Sequence, residues 1–223
     1  MTRKIVLLLA ALLLSATALL ARPLPARYSP YQHGHRWFMS VQAGPALLLA
    51  ENMSSYSAYG KAFDAISWHA ALSFGYNFTD AWALRIAGVY GYNAGALPPR
   101  DQLFPYRFQA AHVFADMVLD HNALAEYNVP FTFKTYVGVG AAYTFGFSET
   151  DHPYIVPDSP NLSPAVRLGA ILEYDYKSGF GWFFDLGVEG FSDWYNGLEP
   201  EGFKVDIALK LSFGFIYHFP LAK

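Results

Sequence analysis

Residues 210–219 read K-L-S-F-G-F-I-Y-H-F, a stretch near the end of the chain in which two kinds of side chain alternate. The odd positions are all large and apolar: Leu211, Phe213, Phe215, Tyr217 and Phe219. The even positions are mostly small or polar: Lys210, Ser212, Gly214, Ile216 and His218. Because successive side chains of a β-strand point to opposite faces, one face of this strand is hydrocarbon and the other is mixed and wettable. This pattern is typical of a transmembrane β-strand.

A transmembrane strand requires partners, since each unpaired backbone group in a bilayer costs several kcal/mol. Seven further segments show a similar alternation: residues 37–49, 66–78, 82–93, 108–120, 131–147, 165–176 and 182–194. With the terminal run they predict an all-β protein, an eight-stranded antiparallel transmembrane β-barrel over residues 36–223. Residues 109–127 are rich in alanine, so a helix is the alternative there, and a helical turn is expected at 123–127.

The connections between the predicted strands are of two kinds. Thr79-Asp80 and residues 177–181 are tight turns, and the connector at 122–130 is of moderate length. Four longer segments are rich in proline or polar residues: 51–64, 94–107, 148–161 and 195–203. Outer-membrane barrels have short periplasmic turns and longer extracellular loops. We therefore expect both chain termini in the periplasm, and we expect Pro98, Pro99 and Pro105 to interrupt strand pairing.

The first residues have the pattern of a secretory signal peptide. Arg3 and Lys4 precede an uncharged run at 5–20, and small residues suited to cleavage follow from Ala16 onwards. This run is shorter than the roughly 18 to 20 residues that span a bilayer, which disfavours the alternative of a membrane helix. We predict a signal peptide at 1–21, cleaved between 18 and 26, and a periplasmic lead-in at 22–35, in a protein of a Gram-negative cell.

The composition is apolar for a chain with so little charge. Aromatic residues make up 18% and charged residues 15%, and the mean hydropathy is +0.17. A barrel that presents an apolar face to lipid explains this combination. Without Arg3 and Lys4 the net charge changes from −3 to −5, and the lack of basic clusters argues against a nucleic-acid partner. The chain contains no cysteine, which excludes disulfides and an acylated cysteine anchor.

The last strand ends in a G-x-x-aromatic-x-aromatic arrangement formed by Gly214, Tyr217 and Phe219. With this run and the alternating segments, the chain resembles the OmpA-type family of eight-stranded outer-membrane barrels over essentially its whole mature length. The resemblance implies a place in the outer membrane, contact with membrane lipid and lipopolysaccharide, and a terminal signal for the outer-membrane assembly machinery. Residues 220–223 follow the final aromatic, which departs from the family pattern. No peptidoglycan-binding domain follows, so the chain resembles a barrel-only member.

Charged residues share the face opposite the hydrocarbon: Arg85, Asp116, Lys134, Arg167, Glu173, Asp185, Glu189 and Lys210. A soluble lipocalin-type barrel would have the reverse arrangement, with apolar side chains inside. Eight strands enclose an interior barely wide enough for side chains, so these four positive and four negative charges are expected to pair.

Positions counted from the turns predict two levels of lumen residues. The lower belt contains Arg85, Asp116, Lys134, Glu173 and Asp185, and the upper layer contains His69, His112, Arg167, Glu189 and Lys210. We expect this charge-plugged lumen to prevent passive conductance, and we expect loss of one partner to open a leak.

Three functions are compatible with such a barrel. The favoured hypothesis is a non-enzymatic barrel with a structural role or a surface ligand bound through aromatic loop residues, namely Tyr56, Tyr59, Phe104, Tyr106, Tyr154 and Tyr195. The second is a lipid A-modifying hydrolase, with Ser67 and His69 on one strand face as catalytic candidates and inward His112 and Glu189 nearby. The third is a narrow small-solute pore. No metal-ligand spacing appears around His33 and His35, and no cofactor is expected.

Overall fold

A computed structural model describes residues 36–49, 66–97, 104–125, 131–148, 161–176, 179–192, 195 and 205–219. The predicted signal peptide at 1–21 and the lead-in at 22–35 lie outside these residues. The same is true of the loop at 51–64, of most of the loop at 148–161, and of Tyr56, Tyr59 and Tyr154.

The described part of the chain forms eight strands and one short helix. In chain order these are β1 (Trp37–Leu49), β2 (Ser67–Asn77), β3 (Trp82–Leu97), β4 (Phe104–Asp120), α1 (His121–Leu124), β5 (Phe131–Phe145), β6 (Asn161–Asp175), β7 (Phe180–Ser192) and β8 (Val205–His218). Each strand pairs with the next in antiparallel orientation, and β8 pairs with β1 to close the barrel. The predicted fold class and strand number are confirmed.

β4 is a strand up to Asp120, so the helical alternative is wrong for residues 109–120. Pairing with β3 and β5 on its two sides outweighs the helix propensity of its alanines. The helical turn expected at 123–127 begins two residues earlier, as α1 at His121–Leu124. Asp120 then caps α1, since its side chain accepts a hydrogen bond from the Ala123 amide at 2.9 Å. In the described ranges, no helix has the length and apolarity needed to cross a bilayer.

The two ends of the barrel differ in their connections. At one end the chain reverses through residues 78–81, through α1 and through the turn that contains Gly179; this is termed the turn end. Gly179 has a φ of 81°, a left-handed conformation that favours glycine. The opposite end, where β1 ends and β2 begins, is termed the loop end.

The register determines how far the strands slant. A walk along directly paired residues starts at Leu48 and returns to β1 at Phe38, ten residues earlier. The residues passed on the way are Ala208, Glu189, Arg167, Gly138, Asp116, Arg85 and Gly75. With eight strands, this stagger corresponds to a tilt of roughly 40° from the barrel axis. Such an interior holds side chains but no wide channel.

The outer surface is apolar, whereas the interior contains the buried charged side chains together with aromatic and aliphatic ones. In β8, Leu211 is 51% exposed, whereas the neighbouring Ser212 is 2% exposed. The charged residues predicted to face the lumen are all buried. A soluble barrel has the reverse arrangement, with apolar side chains inside. Closed strand pairing satisfies the backbone N–H and C=O groups, and the apolar outer face suits contact with lipid, as in barrels of the outer membrane. The protein is therefore a β-barrel of the outer membrane.

β3 and β4 extend into the segment predicted to be a loop at 94–107. Ala96 pairs with Pro105, and Leu97 pairs with Phe104. Pro105 therefore does not interrupt the pairing. On the other side of β4, pairing with β5 is described from Gln109 onwards.

Candidate functional site in the barrel lumen

One carboxylate joins two arginines in the middle of the lumen. Arg85 donates from Nε to Asp116 Oδ2 at 2.7 Å. Arg167 donates from Nε to Asp116 Oδ1 at 2.7 Å and from Nη2 to Oδ2 at 2.5 Å. Asp116 is 0% exposed, and a two-point contact of this kind is the strongest geometry between arginine and a carboxylate.

A glycine allows Arg167 to reach Asp116 across β5. Asp116 pairs with Gly138, and Gly138 pairs with Arg167 on the next strand. A Cβ atom on Gly138 would lie 2.1 Å from Asp116 Oδ1. Any larger residue at this position would therefore occupy the space of the ion pair.

A second group of charges surrounds Glu189 of β7. Lys210 Nζ lies 2.6 Å and His112 Nδ1 lies 3.2 Å from Glu189 Oε2, while Arg167 Nη1 lies 3.8 Å from Oε1. Arg167 therefore connects Glu189 with Asp116. The connected set of Arg85, Asp116, Arg167, Glu189 and Lys210 is termed the charged layer.

The charges do not form the two separate belts predicted from the sequence. Arg167 and Glu189, predicted for the upper layer, lie on the same paired row as Arg85 and Asp116. The prediction counted residues from each turn and did not include the ten-residue stagger. Because of this stagger, residues at the same count from their turns lie at different heights in the barrel. Of the predicted lower belt, Lys134 and Glu173 lie nearer the turn end, where Lys134 Nζ donates to Glu173 Oε1.

Asp185 is held by neutral groups. It accepts hydrogen bonds from Tyr136 Oη at 2.9 Å and from Gln42 Nε2 at 3.2 Å. Arg85 lies 4.5 Å from the centroid of the Tyr136 ring, a cation–π distance. Among the described residues Asp185 forms no salt bridge, so its predicted pairing with a lysine or arginine is wrong. Strand alternation places Tyr136 and Gln42 inward, but it does not indicate that both contact Asp185.

Aromatic side chains fill the lumen nearer the loop end. They are Tyr106, Phe108, Phe147, Phe191 and Tyr195, termed the aromatic layer. The ring centroids of Phe108 and Phe147 lie 5.1 Å apart, those of Phe191 and Tyr195 lie 3.8 Å apart, and Phe108 meets Tyr195 edge-on at 5.6 Å. Offset and edge-on pairs of this kind stabilise a packed interior beyond their buried area.

This layer corrects two predictions. Tyr106 and Tyr195 were predicted to offer contact area in the loops, yet both are buried. Tyr106 lies in the extension of β4, where the inward alternation continues past the predicted end of the strand. Tyr195 follows β7, so strand alternation does not determine its direction. Phe104 belongs to β4, and the structure does not describe its side chain.

Tyr195 links the two layers. Its Oη accepts a hydrogen bond from Asn93 Nδ2 at 3.2 Å and lies 3.0 Å from His112 Nε2, while the other nitrogen of His112 faces Glu189. Burial raises the pKa of the Tyr195 phenol well above its usual range, so the hydroxyl stays neutral. The gap beside Tyr136 and Lys210 has room for no more than about one water molecule.

The two catalytic candidates do not contact each other. Ser67 Oγ accepts a hydrogen bond from the Ala94 amide at 3.0 Å, and His69 Nε2 lies 2.7 Å from Ser212 Oγ. Within the described residues, His69 Nδ1 has no hydrogen-bond partner, so no carboxylate orients the ring. Both Ser67 and His69 are buried in the lumen. The arrangement lacks the base and orienting group that activate a serine nucleophile.

The residues of the predicted assembly signal have distinct positions in β8 and beyond it. Gly214 faces inward under the ring of Phe183, where a Cβ atom would lie 2.5 Å from Phe183 Cζ. Tyr217 faces outward, and Phe219 packs edge-on against it with ring centroids 5.2 Å apart. The glycine of this motif thus has a packing role in the folded barrel.

Comparisons with known proteins agree with this architecture. No protein-family model matches the sequence, and a comparison with curated proteins gives no match. Neisserial surface protein A is 12% identical in its crystal structure, with a TM-score of 0.54, and the alignment covers 82% of this chain and 97% of that one. A major outer membrane protein from Thermus thermophilus is 15% identical, with a TM-score of 0.48 and coverage of 82% and 99%. Ail, the attachment invasion locus protein of Yersinia pestis, is 15% identical, with a TM-score of 0.46 and coverage of 82% and 99%. The first of these likenesses shows that the chain has the fold of an eight-stranded outer-membrane barrel.

Proposed function

We propose that the protein is a non-enzymatic outer-membrane barrel with a closed lumen, which acts as a structural element or through a ligand bound at its loop end. The observation that carries this proposal is the closure of the lumen by two layers in series, one of ion pairs and one of aromatic rings. In this arrangement the turn end faces the periplasm and the loop end faces outward.

The outer surface supports the proposed partners. Leu72, Phe74 and Ile86 are among the outward side chains that are about half exposed, which suits contact with membrane lipid and lipopolysaccharide. The outward Tyr217 and the terminal Phe219 are available to the outer-membrane assembly machinery before the barrel closes. A surface ligand would bind through the long connections, of which 51–64 and 148–161 are the richest in polar and aromatic residues.

The second layer changes the expectation for leakage. Loss of one charge leaves the aromatic layer in place, so we expect the lumen to stay closed in Lys134→Met, although this change destabilises the barrel. A leak should require changes in both layers. This argues against the alternative of a narrow small-solute pore.

Planar-bilayer recording of the refolded barrel tests the closed lumen. We expect no steady conductance from the wild type, from Lys134→Met or from the lipid-facing control Leu72→Ala. The combined variant Phe108→Ala/Tyr195→Ala/Lys210→Ala should conduct, because it shortens side chains in both layers. A large, steady wild-type conductance proportional to salt concentration would overturn the proposal in favour of a pore.

The alternative of a lipid A-modifying hydrolase has little support in the geometry. The serine and histidine that do lie close together, Ser212 and His69, are buried in the lumen, away from the outer face that lipid contacts. Mass spectrometry of lipid A from cells with and without the protein tests this directly. Loss of one acyl chain that disappears in Ser67→Ala, Ser212→Ala or His69→Ala would reverse the ranking.

A further inference from the structure

Three potential metal ligands meet inside the turn end of the lumen. Glu173 and Asp175 project from β6, and His218 projects from the end of β8. His218 Nε2 lies 3.3 Å from Glu173 Oε1 and 3.4 Å from Asp175 Oδ1. One ligand atom from each of the three residues lies within 4.8 Å of the others.

The strand between β6 and β8 leaves this space open. Asp175 pairs with Gly181 of β7, and His218 donates its backbone N–H to the Gly179 carbonyl at 2.7 Å. A Cβ atom on Gly181 would lie 2.5 Å from Asp175 Oδ1. Because neither Gly181 of β7 nor Gly179 of the preceding turn has a side chain, the imidazole reaches the two carboxylates across this part of the chain.

The Asp175 carboxylate is the second observation that points to a ligand. Asp175 is 1% exposed, and apart from the contact with His218 Nε2 at 3.4 Å neither of its carboxylate oxygens accepts a hydrogen bond among the described residues. A buried carboxylate in this situation loses its hydration without full compensation. The surroundings are acidic as well, since seven carboxylates but only four lysine or arginine side chains are buried among the described residues.

The ligand set and its spacing fit a small divalent cation. Imidazole nitrogen and carboxylate oxygen both bind Zn²⁺, at about 2.0–2.2 Å. Two ligands of a tetrahedral ion at such distances lie roughly 3.3 Å apart. The separations of 3.3 and 3.4 Å from His218 Nε2 agree with this value. Lys134, which donates to Glu173 Oε1, would orient that carboxylate.

A small cavity at the turn end reaches one residue of the site. It has room for about one water molecule, and Glu173, Asp80 and Asp120 are among the residues that line it. We propose that Glu173, Asp175 and His218 form a binding site for a divalent transition-metal ion, with Zn²⁺ as the best match. A bound ion would join β6 to β8 across the start of β7.

Calorimetric titration of the refolded barrel with ZnCl₂, after removal of metal with EDTA, tests the site. The background carries His33→Gln, His35→Gln and His152→Gln, so that histidines outside the described residues do not contribute. We expect one Zn²⁺ per chain. Asp175→Asn and His218→Gln should weaken binding more than about 100-fold, beyond the 10- to 100-fold loss typical of an outer hydrogen-bonding partner. The control His69→Gln, which removes a buried imidazole outside the cluster, should bind as the background does.

Spectra of Co²⁺ in the same background keep the test informative if a variant fails to fold. We expect the intense visible bands of a tetrahedral site, quenched by stoichiometric Zn²⁺. Absence of saturable Zn²⁺ binding at micromolar concentrations, or equal binding by the background and a folded Asp175→Asn variant, would overturn the proposal. Weak octahedral Co²⁺ bands alone would also overturn the proposed metal site. The three side chains would then share a proton between His218 and the carboxylates.

Discussion

The charged layer and the aromatic layer fill the same lumen by different physical means. In the charged layer, Asp116 accepts directional hydrogen bonds from Arg85 and Arg167. The strand register places Gly138 between Asp116 and Arg167. In the aromatic layer, Phe108 touches several rings at once and no single contact is indispensable. The charged layer should therefore be sensitive to the loss of one group, whereas the aromatic layer should tolerate a change that conserves volume.

The largest effect is expected when Asp116 is replaced. Asp116→Asn leaves two buried guanidinium groups without their shared carboxylate, which should lower the free energy of unfolding by about 3–5 kcal/mol. Urea unfolding in lipid vesicles, followed by tryptophan fluorescence, measures this change. Asp80→Asn, which removes an exposed carboxylate at the turn end, is the control and should change stability by less than about 0.5 kcal/mol. If Asp116→Asn lowered the free energy of unfolding by less than about 1 kcal/mol, the charged layer would be no more sensitive to the loss of one group than the aromatic layer.

Gly138→Ala tests whether the charged layer depends on space as well as on charge. The added methyl group meets Asp116 Oδ1, so we expect the barrel to lose about 1–3 kcal/mol in the same unfolding assay. Gly88→Ala is the matched control, because a Cβ atom there has nothing within 4 Å. That control should be neutral or slightly stabilising. Equal stabilities of the two variants would contradict the role of Gly138 as the gap between Asp116 and Arg167.

Phe108→Leu tests the tolerance of the aromatic layer. Leucine keeps most of the buried apolar volume, so the loss in stability should stay below about 1.5 kcal/mol, and the lumen should remain closed in bilayer recordings. The companion variant Phe108→Ala leaves a cavity and should lose about 3–5 kcal/mol. If Phe108→Leu proved as harmful as Asp116→Asn, the aromatic layer would be as specific as the charged layer.

Tyr195→Phe should have the smallest effect, because it removes only the hydroxyl that links the two layers. We expect a loss of about 1 kcal/mol at pH 8, the typical value for a hydrogen bond. The raised pKa of Tyr195 means that the unfolded chain ionises first as the pH increases. Wild-type stability should therefore fall above about pH 10 relative to Tyr195→Phe, and the difference between the two proteins should shrink. A difference that grows above this pH would contradict a buried, neutral phenol.

Strand alternation was sufficient to predict that the eight charged side chains face the lumen. Arg85, Asp116 and Lys134 were predicted as inward residues because the period of two is local to each strand. The same rule also places Asp120 and Asp175 inward, near strand ends. Both are buried, and Asp120 lines the turn-end cavity. The charge balance inside the barrel is thus more acidic than the eight predicted charges alone indicate.

Contacts between strands could not be predicted in the same way. Whether Arg167 meets Asp116 or stays with Glu189 depends on the stagger of the whole barrel, which no single strand encodes. The inward fold of Tyr195 depends on a turn after β7 rather than on strand periodicity. The group of Glu173, Asp175 and His218 likewise requires β6 and β8 to meet across Gly179 and Gly181, at the start of β7. The spacing of the three residues in the sequence gives no sign of this contact.

The position of the charged row has a consequence for the order of assembly. Arg85, Asp116 and Arg167 lie on β3, β4 and β6, so their pairing does not require the first and last strands to meet. A curved sheet of the central strands can thus neutralise these charges before the cylinder is complete. Only then does β8 align with β1, which allows Gln42 of β1 to donate to Ser212 Oγ of β8 at 3.3 Å. We expect central ion pairing to precede ring closure during insertion, with the contact between Gln42 and Ser212 forming last.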